Sequence, residues 1–258
     1  MDLKQLNEAL NFYIRPQAFP VAMRLCQSAQ ELPPRVRIPT RDLHTTVTLC
    51  QGVGMARKFG WTLAIGGEDQ VCPFGSLALG FVPPKKEWLD GSIAATTGHW
   101  TRESMARAAE ELPRFDYGKY QYLLLAPLHT ATFDPHLVAI YGNSAQVMRL
   151  VQGRVYDTGK ALTSSTLGSA DCADMIVRTV LSDECQVVLP CGGDRVFGLT
   201  QDDEMAFALP PSKMETVVHG LEAGHKSGLQ RYPILAYLWF QPQMPPAYQK
   251  LMKFLSQE

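Results

Sequence analysis

Apolar residues recur along the chain at two spacings, and these divide it into helices and strands. Leu3, Leu6, Leu10 and Tyr13 lie three to four apart, which predicts a helix over 3–14. Helical spacing returns from Thr48 to Phe59, from Asp69 to Leu79 with Pro73 in its first turn, and from Ser169 to Val180. Thr101–Leu112 carries a Thr cap, Glu103 in the first turn and Pro113 beyond its end. Asn143 opens a helix to Val155, Ser212 with Glu215 opens one to Leu221, and Ala247–Leu255 forms the last. Short apolar runs at Val21–Leu25, Trp61–Ile65, Tyr120–Leu125, Leu137–Tyr141 and Gln186–Leu189 predict strands, with a further strand at Ala161–Thr166. Arg195–Leu209 reads as a hairpin turning at Gln201–Asp203.

Strands and helices alternate irregularly, and some strands come in adjacent pairs. This favours an α/β or α+β fold, a single compact domain over 1–258 with a mixed sheet flanked by helices. Proline and glycine are spread evenly, so no domain boundary stands out. A chain of 258 residues, 46% hydrophobic, can bury a sizeable core.

Charge narrows the partners. The net charge is -1 and no basic stripe with interleaved aromatics appears, so no nucleic acid is expected. The longest apolar run, Tyr122–Leu128, is far short of the roughly 20 residues of a membrane helix, so no membrane is expected either. The first residues lack the pattern of a signal peptide, which points to a cytoplasmic protein.

The candidate chemistry lies in six cysteines at 26, 50, 72, 172, 185 and 191. In such a setting they are expected as thiols or metal ligands rather than a disulfide framework. No CxxC or HxxxH occurs, so a metal site must be assembled from distant segments. Cys50 and Cys72 each fall where a helix should begin. Unpaired N–H groups and the helix dipole there favour a thiolate, so depressed pKa values are expected at both. Cys172 lies in the first turn of its predicted helix. Cys191 ends a strand before two glycines, where backbone can approach a ligand closely. Four converging thiolates would suit an iron–sulfur cluster, whereas a zinc ribbon takes its ligands in close pairs. Burial as a small apolar residue is the competing account for each, and the favoured one for Cys26 and Cys185.

Gln51 and Arg57 are candidates for tuning a sulfur through hydrogen bonds, and Arg195 for binding a carboxylate or phosphate. His44, six residues before Cys50, is a candidate base or ligand but more simply a solvated loop residue. Asp202-Asp203-Glu204 is acidic enough to hold a cation, though such a run is more often a solvated turn. Gly52, Gly54, Gly66 and Gly67 make no nucleotide-binding fingerprint.

RPQAFPVAMRL, TLCQGVGMARKFGWTLAIGGEDQVCPFGSLALGF, VAIYGNSAQVMRLVQ and VVLPCGGDRVFGLTQDDEMAFALP, with RYPI after them, together resemble the family known as domain of unknown function 169, or uncharacterised ArCR. The resemblance runs over nearly the whole chain and implies a prokaryotic, cytoplasmic protein without implying an activity. Cys50-Gln51 and Cys72-Pro73 match its pattern, and Cys172 falls in a family-like SADCAD stretch. It implies variation at Cys191, so three cysteines plus another ligand, or an open site, stand beside the four-cysteine cluster. The expected function is a cysteine-ligated iron–sulfur centre acting with a small-molecule substrate or redox partner. The alternatives are a metal-free dithiol using Cys50 and Cys72, and a small-molecule-binding or interaction protein with structural cysteines.

Overall fold

The computed structural model describes residues 1–228, 230–233 and 243–256. In chain order its helices are α1 (Leu3–Tyr13), α2 (Leu49–Phe59), α3 (Pro73–Ala78), α4 (Lys86–Leu89), α5 (Ser92–Ala95), α6 (Arg102–Glu111), α7 (Ser144–Val155), α8 (Arg178–Ser182), α9 (Gly192–Phe197), α10 (Met214–Lys226) and α11 (Pro246–Leu255). A π-helical turn at Ala173–Val177 leads into α8. The strands are β1 (Val21–Cys26), β2 (Leu63–Gly66), β3 (Tyr122–Pro127), β4 (Leu137–Asn143), β5 (Gln186–Val188) and β6 (Glu204–Leu209).

The six strands form one open sheet in the order β2-β3-β1-β4-β6-β5 with helices around it, as the irregular alternation implied. Its ladders are all antiparallel among the described residues. Parallel pairing is confined to two isolated bridges, Arg37 to Leu63 and Val47 to Gln70. The strands are apolar almost throughout because both faces are covered. Val21, Met23 and Leu25 of β1 join one core with residues of α2 and the Ala173–Val177 turn. Ala22, between them, points to the other core, with Leu6, Leu10, Val147, Leu150, Val217 and Leu221 from α1, α7 and α10. This is the two-residue alternation of a strand serving two layers.

Local signals placed several elements where expected. Asp2, Thr48 and Asn143 form capping boxes at α1, α2 and α7, and Thr101 caps α6. Asn143 is thus an ordinary helix cap. Other elements differ. The 69–79 helix begins only at Pro73: Cys72 is extended, as residues before proline tend to be, and becomes the N-cap. The Ala161–Thr166 strand is absent, although Ser164 there accepts from the Val187 N–H of edge strand β5 at 2.8 Å. The first arm of the 195–209 hairpin is instead α9, closed by the Gly198 and Thr200 N–H groups donating to Asp194 O. Ser212 sits in a 3-10 turn and donates to Asp183, while Glu215 pairs with the N-terminal amine at 2.6 Å rather than closing a capping box.

Candidate functional site

The site is built where α2 meets α9. Two glycines permit that meeting. A Cβ on Gly52 would fall 2.2 Å from Ile65 Cδ1, so this turn of α2 lies flat on the sheet. A Cβ on Gly54 would fall 2.6 Å from Gly198 O, so the backbone at the end of α9 abuts α2 directly. The GVG of the sequence is therefore packing glycine rather than a phosphate loop. Arg57 ties the same two segments together. Its guanidinium forks onto Glu204 at 3.0 and 3.2 Å and donates to Thr200 Oγ1 at 2.7 Å and to Gly198 O at 3.4 Å.

This contact brings Cys50 of α2 to Cys191, the N-cap of α9. Asp171, from the segment before the π-turn, completes the group. Cys191 Sγ lies 3.2 Å and Cys50 Sγ 4.0 Å from Asp171 Oδ1, and the three ligating atoms all fall within 4.8 Å of one another. All three residues are buried. They form the floor of a cavity of about 690 Å³ whose lining also includes Cys72 and Cys172. The four cysteines singled out from sequence thus line one cavity, and Cys50 and Cys191 sit tightest. Cys26 and Cys185 lie in other clusters of the core.

The electrostatics correct the expectation of thiolates at Cys50 and Cys72. A hydrogen bond to Cys191, followed by burial, drives the Cys50 pKa far up. Burial also raises that of Cys72 and, strongly, that of Cys172. Desolvation outweighs the helix-start effect at Cys72 and Cys172, and at Cys50 it adds to the larger effect of Cys191. Cys191 carries the thiolate instead: hydrogen bonding to Cys50, helped by the Asp194 N–H and by Asp171, lowers its pKa to about 5. Asp171 is held protonated well above the usual carboxylate range by burial and by neighbouring Asp194. It can therefore donate to the Cys191 sulfur.

Behind the floor lies a polar chain. Asp194 lies close enough to Asp171 for the two carboxyl groups to repel each other's charge, and burial raises the pKa of Asp194 as well. Tyr141 donates to Asp194 Oδ2 at 3.0 Å, and the Arg57 guanidinium stacks 4.0 Å from the Tyr141 ring centroid. Arg57 therefore reaches the thiols through Tyr141 and Asp194, its own hydrogen bonds going to oxygens.

The remaining expectations resolve locally. Gln51 closes the α2 capping box, accepting from the Thr48 N–H at 2.8 Å, and does not line the cavity. Arg195 turns away to the Gln201 carbonyl and stands 4.0 Å from Asp202. Glu204, the end of the acidic run, faces inward to Arg57. His44 is exposed outside the cavity, whereas His99, not singled out from sequence, lines it. Asp171 and Asp194 were also missed. The available signal was their position: each carboxylate stands beside or within three residues of a cysteine at a helix start.

Similarity to known proteins agrees with the motifs quoted above. The uncharacterized protein MJ0308 of Methanocaldococcus jannaschii is 25% identical over 205 residues, covering 78% of this chain and 86% of that protein. No solved structure matches the chain. The model of the domain of unknown function 169 family, described as uncharacterised ArCR, matches residues 9–220. The chain belongs to that family.

Proposed function

We propose that the cavity floor is a thiolate-ligated metal centre, with Cys50, Cys191 and Asp171 as ligands to one ion and an open position facing the cavity. The observation that carries this reading is the mutual approach of the three ligating atoms within 4.8 Å. Metal–sulfur bonds of about 2.3 Å and metal–oxygen bonds of about 2.0–2.2 Å put tetrahedral ligand atoms roughly 3.5–3.8 Å apart, so small shifts would close this set on a single ion. Two sulfurs and one oxygen suit zinc or ferrous iron. Three protein ligands with a free fourth position is the arrangement of a catalytic rather than a structural site.

An iron–sulfur cluster is the extended form of the same proposal, in which Cys72 and Cys172 would hold the far side. Ligand loading displaces the protons of Cys50 and Asp171, so affinity rises with pH. The reading belongs with a reducing, cytoplasmic setting, and the six cysteines are free thiols here.

Anaerobic purification followed by metal and acid-labile sulfide analysis tests it. The expected result is about one zinc or iron per chain, lost in Cys50→Ser and in Cys191→Ser. A brown, sulfide-containing protein selects the cluster form. A chain that neither retains nor takes up zinc or ferrous iron overturns both forms.

A second reading is a metal-free dithiol, Cys50 with Cys191 rather than Cys50 with Cys72. It is favoured by the hydrogen bond between those two thiols and the low pKa of Cys191. Thiol counting with and without reductant separates it: a Cys50–Cys191 disulfide in metal-free protein supports it, and two thiols that stay reduced under oxidant sink it.

A further inference from the structure

The walls of the cavity differ in chemistry from its floor. Among the described residues no lysine, arginine or glutamate lines it, and its carboxyl group, Asp171, lies in the floor. Aromatic and aliphatic side chains make the walls: Phe74, Trp88, Ile93, Trp100 and Phe197. Phe74 and Trp88 meet edge to face with ring centroids 4.8 Å apart, which fixes one wall. Ile93 and Phe197 are 55% and 50% exposed, so they offer apolar surface that the protein itself leaves uncovered. The indole N–H of Trp100 is buried and has no acceptor. Such a donor is unfavourable to bury unless something accepts from it. A volume of about 690 Å³ lies within the range of sites for drug-sized molecules.

We propose that this cavity binds an uncharged, flat, largely aromatic small molecule that carries a carbonyl-type acceptor for Trp100. The bound molecule lies over the Cys50–Asp171–Cys191 floor. The described walls offer an anion no lysine or arginine, only the His99 imidazole, and a cation that carries no acceptor would leave the indole N–H unanswered. This inference rests on the metal-centre reading only for what the floor does to the ligand, because the walls recognise it whether or not a metal is present.

Prodan, an uncharged naphthalene with a ketone, is a suitable probe because its emission shifts blue in an apolar site. Titration into the full chain is expected to show saturable binding at one site. Ile93→Asp, a change at an exposed position, should weaken it more than tenfold, and Trp100→Phe several-fold. The sulfonated anilinonaphthalene probe and a naphthyl trimethylammonium should each bind at least tenfold more weakly than prodan. Binding that is absent, that survives Ile93→Asp and Trp100→Phe unchanged, or that favours either charged probe overturns the inference. The Cys50→Ser/Cys191→Ser double variant separates the two proposals. Prodan binding that persists in it without metal supports the walls as the recognition element, and binding lost with the metal overturns that assignment.

Discussion

The two faces of the sheet are built with the same packing device and differ in what they bury. On one face Gly153 of α7 meets α10, where an added Cβ would fall 2.7 Å from Val217 O. On the other Gly54 of α2 meets the end of α9 in the same way, 2.6 Å from Gly198 O. The first contact closes a core of leucine, valine and isoleucine, with Cys185 as a small apolar member, beside which α7 also buries Gln146 and Arg149. The second closes around Cys50, Asp171, Asp194, Tyr141 and Arg57. Close helix approach is thus generic. The second face gains its chemistry from groups whose burial is unfavourable unless they satisfy one another.

The largest expected effect comes from the ion pair that closes the site face. Arg57→Met takes the forked guanidinium from nearly buried Glu204, leaving it Lys58 at 3.8 Å and the Gln201 N–H, and should cost about 3–5 kcal/mol in urea unfolding. Adding Glu204→Leu should recover a large part of that loss. On the opposite face Leu10→Ala, which only opens a void, should cost about 2–5 kcal/mol with no second change that restores it. Equal rescue on both faces would erase the distinction.

The two glycine contacts give a sharper test. Gly54→Ala and Gly153→Ala should each cost about 1–3 kcal/mol through overpacking. Only Gly54→Ala should also weaken metal retention and raise the alkylation pKa of Cys191, since it pushes α9 away from Cys50. Tyr141→Phe should follow at about 1–3 kcal/mol, because Asp194 loses a donor in a buried place. Its added signature is an alkylation pKa of Cys191 that moves while that of Cys185 does not.

The smallest effect contrasts those two thiols directly. In metal-free protein, iodoacetamide should modify Cys191 with an inflection near pH 5. Cys185, pushed up to about 12 by burial, should stay unmodified across the neutral range. The matching stability signs are opposite. The Cys191 pKa is depressed on folding, so its contribution is full above the unfolded thiol pKa of about 8.5 and declines as pH falls towards 5. The Cys185 pKa is raised, so its contribution is full below the unfolded value and is lost as pH climbs towards 12. Unfolding titrated across this range by thiol-specific labelling checks both signs.

The helices with local caps were legible in the chain. Asp2 with Gln5, Thr48 with Gln51 and Asn143 with Gln146 each satisfy orphan N–H groups within one turn, so three residues suffice to mark the start. Cys50, Cys72 and Cys172 were legible as candidates on similar grounds, being residues at expected helix starts, and Cys191 as the residue that ends a strand before two glycines. Their ionisation was not. Position at a helix start is local, but partners and desolvation depend on what is folded over the residue: Cys191 first and burial second reversed the expectation for Cys50, burial reversed it for Cys72, and Cys191 took the charge. The 195–209 hairpin failed for a related reason. Asp194 stabilises α9 through its carbonyl and is itself held by Tyr141, 53 residues away.

By itself the sequence determined the helix caps, the apolar strands that take a layer on each side, and the set of cysteines from which the site is drawn. These depend on spacing and short-range hydrogen bonding, which act over a few residues. Tertiary structure decided which cysteine is ionised, that Asp171 joins Cys50 across 121 residues, and that the close approach of Gly54 to Gly198 brings α2 and Cys50 against α9 and Cys191. The physical reason is that pKa and ligand geometry follow from desolvation and from distances between segments, and neither exists until the chain has closed over the site.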